Sequence, residues 1–143
     1  MKKNKTGVEY VNIEYIYNNN VTVCVLDCAV NIKHVSSFYG LNRQNAERFI
    51  KFISNLGMEY DGDSVRFTVK GVTRLHNGDD YDKVTGERIA LSKAQAWAFS
   101  KANRMYNFLG GLVNEELETL YEKVEGTYNV CAHCYKHVEE LGE

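Results

Sequence analysis

Residues 8–30 read VEYVNIEYIYNNNVTVCVLDCAV, two runs rich in β-branched residues and tyrosine on either side of three asparagines. Asparagine tolerates left-handed backbone angles at low cost, so Asn18–Asn20 predicts the turn of a β-hairpin. The second run carries apolar side chains at both odd and even positions, as Val23 and Leu26 illustrate. This second run is therefore expected to be a central, well-buried strand.

A helix and a second hairpin are expected next. Apolar residues at spacings of three and four predict a helix over about residues 42–56, with Asn42 as its N-cap and Gly57 as the left-handed residue after its end. Asp61-Gly62 then predicts a turn into a strand over residues 65–75, in which Gly71 is expected to form a bulge.

Two further helices are expected in the C-terminal half. The second helix runs from about Glu87 to Leu109 and ends at Gly110-Gly111, and the third begins at Asn114 and stops at Gly126. Alanines four apart along the second helix let another backbone approach closely. That backbone belongs to the same fold in the preferred interpretation and to a homodimer in the alternative. The alanines are Ala90, Ala94, Ala98 and Ala102.

The order of these elements predicts an α+β fold, with an antiparallel sheet of about four strands, three helices packed on it and a short Cys/His tail. The 143 residues are expected to form one domain, because a chain of this length can bury most of its apolar surface in one core. Within that domain, residues 127–143 are expected to be a C-terminal tail held in place by zinc.

Composition excludes several classes of function. Charged residues make up 25% of the chain and the net charge is −2, which argues against strong direct nucleic-acid binding, since that needs a basic face. No apolar run approaches the roughly 18 residues that span a bilayer. The basic start, Met1–Gly7, is not followed by the apolar core of a signal peptide. We therefore expect a cytoplasmic protein with no membrane partner.

The C-terminal residues 130–137 read VCAHCYKH and contain metal-ligand residue types at close spacing. A C-x-x-C pair is the usual first half of a tetrahedral zinc site. Cys131, Cys134 and His137 are therefore predicted to bind a structural zinc ion, and free thiols with solvated histidines are the alternative. A redox role for the pair is disfavoured, because no βαβ unit is visible. The fourth ligand is left open among Cys24, Cys28, His76 and His133.

Acidic residues are candidates for contact with a partner. The acidic residues that follow His76 are typical of a turn, in which Asp side chains accept hydrogen bonds from nearby backbone amides. A calcium loop would need a later glutamate and is disfavoured. If the second hairpin and this turn converge, five acidic residues form one patch. They are Asp61, Asp63, Asp79, Asp80 and Asp82.

Basic residues interleaved with aromatic ones form two further groups. Each group could hold an anionic ligand, although such residues are more often the solvated faces of amphipathic helices. No nucleophile with a partnered His and Asp and no glycine-rich phosphate loop is visible, so the protein is predicted not to be an enzyme. The groups are Arg43, Arg48, Lys51 and Phe52, and Arg88, Lys93, Trp97, Lys101 and Arg104.

The segment around the acidic turn resembles a pattern in small phage and mobile-element proteins. The residues that carry the resemblance are Arg74, Asp80, Tyr81-Asp82, Gly86, Ile89-Ala90 and Ala94. Among such proteins, inhibitors of bacterial immunity are the groups considered. They include anti-CRISPR proteins of type II systems and Thoeris anti-defence proteins that sequester a cyclic ADP-ribose signal.

The resemblance to anti-CRISPR proteins implies a non-enzymatic inhibitor that binds a type II Cas nuclease through a tyrosine-rich or acidic patch, with the zinc structural. The resemblance to Thoeris anti-defence proteins implies a sponge in which arginine and aromatic residues clamp a cyclic nucleotide. A zinc-stabilised phage accessory or regulatory module is the third alternative.

Overall fold

The computed structural model describes residues 5–32, 41–74 and 83–142. The described strands form one antiparallel sheet in the order β1-β2-β4-β3. The α+β class and the four-stranded antiparallel sheet are therefore confirmed, but the described chain has two helices where three were expected. The elements are β1 Val8–Asn18, β2 Val21–Val30, α1 Arg43–Asn55, β3 Glu59–Tyr60, β4 Val65–Arg74 and α2 Lys83–Glu140.

Both hairpins turn where the sequence predicts. Asn19 has a φ of 48°, a left-handed conformation that lets Asn18 pair with Val21 across a two-residue turn. In the second hairpin Gly62 has a φ of 96°. The hydrogen-bonded position of β2 between β1 and β4 confirms that it is the central strand.

Helix α1 has the predicted ends. The side chain of Asn42 accepts a hydrogen bond from the N–H of Asn45 at 2.8 Å, as an N-cap does. After the last turn, Gly57 adopts a φ of 75°. The helix buries Phe49 and Ile53 in the core beneath the sheet.

Gly71 is not a bulge, because it pairs with Cys24 in unbroken register. A Cβ at this position would lie 1.9 Å from the carbonyl oxygen of Ala90 and 2.6 Å from the nitrogen of Ala94. The glycine therefore lets α2 lie directly on β4. The irregularity in the sheet is instead in β1, where the register shifts between Tyr10 and Asn12.

The alanine line of α2 packs inside the chain. All four alanines are buried in the core, and α2 lies against β2 and β4. The preferred interpretation is therefore confirmed. The alternative, a homodimer through this face, is wrong, because the chain's own sheet covers it. The residues concerned are Ala90, Ala94, Ala98 and Ala102.

Helix α2 continues through the glycines that were expected to end it. Glycine in a helix interior costs about 1 kcal/mol relative to alanine. On either side of Gly110-Gly111, Leu109 and Leu112 are buried in the core, so packing holds the helix across the glycines. Gly126 lies within the same helix. Residues 127–140, expected to belong to a tail, are its last turns.

The hydrophobic core covers only the first part of α2. Leu112 is the last buried residue of the helix, and every residue from Leu117 to Gly142 is exposed. We call residues 117–142 the distal arm. The core is formed by one face of the sheet, the inner face of α1 and the part of α2 that ends at Leu112. Its members include Leu26, Cys28, Phe49, Ile53, Val65, Phe67, Met105 and Leu112.

Candidate functional site

The predicted zinc ligands lie on the distal arm, on a helix and not on a tight turn. Cys131, Cys134 and His137 are three residues apart, and each such step moves about 60° around a helix of 3.6 residues per turn. The two thiols therefore share one side, and His137 lies about 120° from Cys131. Among residues 5–32, 41–74 and 83–142, no group of three or more potential ligands is close enough to hold a metal ion. One chain thus offers a pair of thiols, which is half of a tetrahedral site.

The described candidates for the fourth ligand are poorly placed to complete this pair. Cys24 and Cys28 are 0% and 1% exposed in the sheet core. Burial raises the pKa of both thiols, that of Cys28 to about 11, which disfavours the thiolate that zinc needs. His133 lies two residues from Cys131, about 200° around the helix. His76 lies outside the described residues.

A seven-residue repeat, not anticipated from the sequence, runs along the distal arm. It has the spacing of coiled-coil heptads, whose a and d positions are apolar. The repeat is visible in the amino-acid sequence, but an expected helix end at Gly126 divides it into two short pieces. Its members are Leu117, Val124, Cys131 and Val138 at a, Leu120, Thr127, Cys134 and Leu141 at d, and Tyr121, Tyr128 and Tyr135 at e.

A second exposed apolar surface lies where β1, the edge strand of the sheet, faces α2. The ring of Tyr10 meets Phe99 edge to face, with centroids 6.5 Å apart. The hydroxyl of Tyr17 donates to Glu87, and the ammonium of Lys83 lies 4.6 Å from the centre of the Tyr17 ring. We call Tyr10, Ile13, Tyr17 and Phe99, all exposed, the β1–α2 surface.

Two of the five acidic residues expected to form a patch are described, Asp61 and Asp63, both in the β3–β4 turn. The N–H groups of Asp63 and Ser64 donate to the Asp61 carboxylate at 2.9 and 2.8 Å, and these bonds lower the pKa of Asp61. Asp61 therefore stabilises the turn. Its partners in the expected patch, Asp79, Asp80 and Asp82, lie outside the described residues, so the patch stays a prediction.

The first basic–aromatic group is engaged in contacts between α1 and α2. Arg48 lies 2.9 Å from Glu115, and the ring of Phe52 stacks on Phe108 with centroids 4.1 Å apart. Arg43 forms an ion pair with Glu47 one turn further along its own helix. Arg48 and Phe52 therefore hold the two helices together, whereas Arg43 and Lys51 line an open groove of about 480 Å³ on α1.

Part of the second basic–aromatic group lines an open groove between β4 and α2. The groove has a volume of about 430 Å³, and Lys70, Lys93 and Trp97 are among its lining residues. The ammonium of Lys93 donates to the carbonyl of Val72 at 2.9 Å, and the Trp97 side chain is 62% exposed. Two positive charges beside an exposed indole could bind an anion that carries an aromatic ring.

Comparison with protein-family models, with curated proteins and with solved structures finds no match. Within the described part of the chain, neither helix combines the length and the continuous hydrophobicity that crossing a membrane requires.

Proposed function

We propose that this chain is a non-enzymatic inhibitor of bacterial immunity that acts by binding a type II Cas nuclease. The observation that supports binding of a second protein is the β1–α2 surface, where exposed tyrosine, isoleucine and phenylalanine side chains lie together and Tyr10 meets Phe99. Exposed apolar patches on soluble proteins often mark sites of interaction with another protein. The choice of a Cas nuclease rests on the resemblance of the segment Arg74–Ala94 to small phage proteins.

The β1–α2 surface is the proposed contact for the nuclease. Tyr10 and Tyr17 combine rigid contact area with a polar tip, a composition enriched in protein interfaces. As an edge strand, β1 also presents backbone groups with which a partner strand can pair. The acidic residues from Asp61 to Asp82 are proposed as a second contact, because a nuclease that holds nucleic acid has a basic channel.

Co-purification with the nuclease and measurement of its DNA loading test this proposal. The wild-type chain is expected to bind the nuclease and to block DNA loading. Ile13→Asp, on the β1–α2 surface, should weaken binding at least about tenfold, because it places a charge in an apolar contact. Ile50→Asp on α1 is the matched control, since Ile50 is 39% exposed and Ile13 is 43% exposed. A wild-type chain that neither binds the nuclease nor blocks loading refutes the proposal.

A structural zinc ion at Cys131, Cys134 and His137 belongs to the same proposal. Elemental analysis of protein purified without a histidine tag should find zinc in the wild type and much less in Cys131→Ser. Equal zinc in the two samples would refute the assignment. The position of these residues on an arm with no core of its own supports a structural role.

A nucleotide sponge is the second candidate, and the groove lined by Lys70, Lys93 and Trp97 favours it. Calorimetry with a cyclic ADP-ribose ligand should then show heat of binding, and Lys93→Ala should reduce the affinity while Lys51→Ala does not. Absence of heat with the wild-type chain removes this candidate.

A phage accessory module is the third candidate. It predicts neither inhibition of a nuclease nor binding of a nucleotide, so rescue of phage growth in a defence assay would count against it.

A further inference from the structure

We infer that two copies of this chain join through a parallel coiled coil of their distal arms, in which Cys131 and Cys134 of both copies bind one zinc ion. The inference rests on the two thiols of the zinc site proposed above, and it replaces His137 with the thiols of a second chain. It does not depend on the identity of the protein that the chain inhibits.

The repeat of the distal arm is that of a helix packed on another helix. An α-helix has 3.6 residues per turn, so an apolar stripe that repeats every seven residues stays aligned only when two helices supercoil. The repeat extends from Leu117 to Leu141, more than three heptads, and its one hydroxyl side chain is that of Thr127, which donates to the carbonyl of Lys123. Valine at two a positions, Val124 and Val138, and leucine at the outer d positions favour two parallel strands.

The length of the arm is sufficient for a stable dimer. Residues 117–141 span about 37 Å at 1.5 Å per residue, and a two-stranded coil of this length buries an area of the order of a standard interface, roughly 800 Å² per partner. A single helix exposed on all sides is marginal in water, and Gly126 lowers its propensity further. A second arm packed along the a and d positions offsets both effects.

The charges of the arm are compatible with a parallel dimer of identical chains. Glu118, Glu122 and Glu125 occupy positions b and f, away from the contact between the helices. Tyrosines occupy the e positions, so side chains at the g positions of one copy face an aromatic ring of the other copy and not a like charge. In a parallel pair, Lys123 at g faces Tyr128 of the second copy, an arrangement that places an ammonium against an aromatic face.

The position of the folded body leaves the heptad positions accessible. Leu117 lies five residues beyond the buried Leu112, about 140° around the helix. On the body side of α2, Glu115 contacts Arg48 and Glu116 contacts Asn45. The a and d residues from Leu117 to Leu141 are all exposed in the single chain, so neither α1 nor the sheet covers the heptad positions.

The parallel arrangement places four thiols together. In a parallel pair in register, an a residue faces a and a d residue faces d, so Cys131 and Cys134 of the two copies form consecutive layers within one turn. Four thiolates are a common ligand set for structural zinc. Each thiol loses a proton as it binds, and no electron transfer is involved. His137 lies at the g position and is then not a ligand, which revises its predicted role.

Sedimentation and cobalt titration of the full chain test this site. With zinc we expect a dimer, and with a chelator a several-fold weaker dimer. Titration with Co²⁺ should end at about half an equivalent per chain, with the spectrum of tetrahedral thiolate coordination. Cys131→Ser combined with Cys134→Ser should abolish the metal binding. A chain that stays monomeric with zinc, or that binds one ion per monomer, would overturn the inference.

A pair of variants tests the heptad contact itself. Val124→Glu places a charge at an a position, and Asn129→Glu, at f, is the matched control. Both residues are exposed in the single chain, so the body should unfold at the same denaturant concentration in each. Val124→Glu should weaken the dimer at least about tenfold and the control should not. Equal weakening, or none in either, contradicts a dimer through the heptads.

Oxidation of Cys131→Ser tests the direction of the helices. The remaining Cys134 faces its equivalent in a parallel pair and should form a disulfide between chains. In the full-length antiparallel register, with Leu117 opposite Leu141, the two Cys134 residues are about ten residues or 15 Å apart along the axis. A dimer that forms without this disulfide would exclude the parallel arrangement. The expected results of these measurements are the same whether or not the chain inhibits a nuclease.

Discussion

Gly71 on β4 and Ala90 on α2 approach so closely that a Cβ on the glycine would lie 1.9 Å from the alanine's carbonyl oxygen. This contact sets the distance between the sheet and the helix. It also explains why the buried face of α2 carries alanines at positions 90, 94, 98 and 102, since larger side chains would hold the helix away from the strand.

Gly71→Ala is expected to destabilise the fold by about 3 kcal/mol, because a methyl group here collides with helix backbone that cannot move alone. Urea unfolding of the two proteins measures the difference. The control is Gly126→Ala, an exposed helical position at which a Cβ would meet no described atom within 4 Å. Gly126→Ala should stabilise the helical form of the arm by about 1 kcal/mol, which circular dichroism would show as greater helicity. A neutral Gly71→Ala would refute the close contact.

Glu116 is expected to stabilise the start of α1. Its carboxylate accepts hydrogen bonds from the N–H of Asn42 and from the side-chain amide of Asn45, the latter at 3.1 Å. Because Asn45 is buried, Glu116→Ala should cost about 1–2 kcal/mol in the free energy of unfolding. Glu118→Ala is the control, since Glu118 is exposed and bonds only weakly to Asn114 at 3.4 Å. Equal effects of the two changes would show that the contact to α1 contributes nothing.

The turns and helix ends that the sequence predicts correctly depend on neighbouring residues alone. The left-handed turn at Asn19, the N-cap at Asn42 and the glycine that follows α1 are all properties of three or four consecutive residues. The end expected at Gly110-Gly111 is wrong because the packing of Leu109 and Leu112, a tertiary effect, outweighs the low helix propensity of glycine. The bulge expected at Gly71 is wrong for the same reason, since the close approach of α2 accounts for this glycine.

The zinc site at Cys131, Cys134 and His137 stays a prediction. Cys131 and Cys134 were expected in a tail and lie in a helix, where their spacing of three places them on one side. Their surroundings could not be predicted, since the expected end at Gly126 hid the heptads that connect Leu117 to Leu141. The acidic patch depends on Asp79, Asp80 and Asp82, which lie outside the described residues, and stays a prediction.

Stability should fall at alkaline pH because of the buried thiols. Burial raises the pKa of Cys28 from 9.0 to about 11, so the folded state keeps a proton that the unfolded state loses. The contribution of Cys28 to the free energy of unfolding is therefore fully present below about pH 9 and falls as the pH rises towards 11. Cys28→Ala should be less stable at neutral pH, because of the cavity, but its stability should decline less over this range. Parallel pH profiles in urea unfolding would contradict the assignment.

The four cysteines should fall into two classes of reactivity. Cys131 and Cys134 are exposed, and Cys24 and Cys28 are buried with raised pKa values. A thiol reagent added to the native, metal-free chain should therefore modify two thiols quickly and all four only after unfolding. Bound zinc is expected to slow the modification of Cys131 and Cys134. Mass spectrometry of the modified peptides identifies the residues, and rapid modification of Cys24 or Cys28 in the native chain would contradict the core described above.

Removal of the distal arm should leave the body folded. A chain that ends at Thr119 lacks all but the first three residues of the arm, and it keeps every buried residue of α2 together with the contacts that Glu115 and Glu116 make with α1. At low concentration without zinc, its urea midpoint should therefore match that of the full chain, while the helical circular dichroism falls by the contribution of the arm. The truncated chain should also be monomeric and bind no zinc at any concentration tested. A midpoint well below that of the full chain under these conditions would mean that the arm stabilises the body directly, and its exposed apolar residues would then need an explanation other than binding to a second molecule.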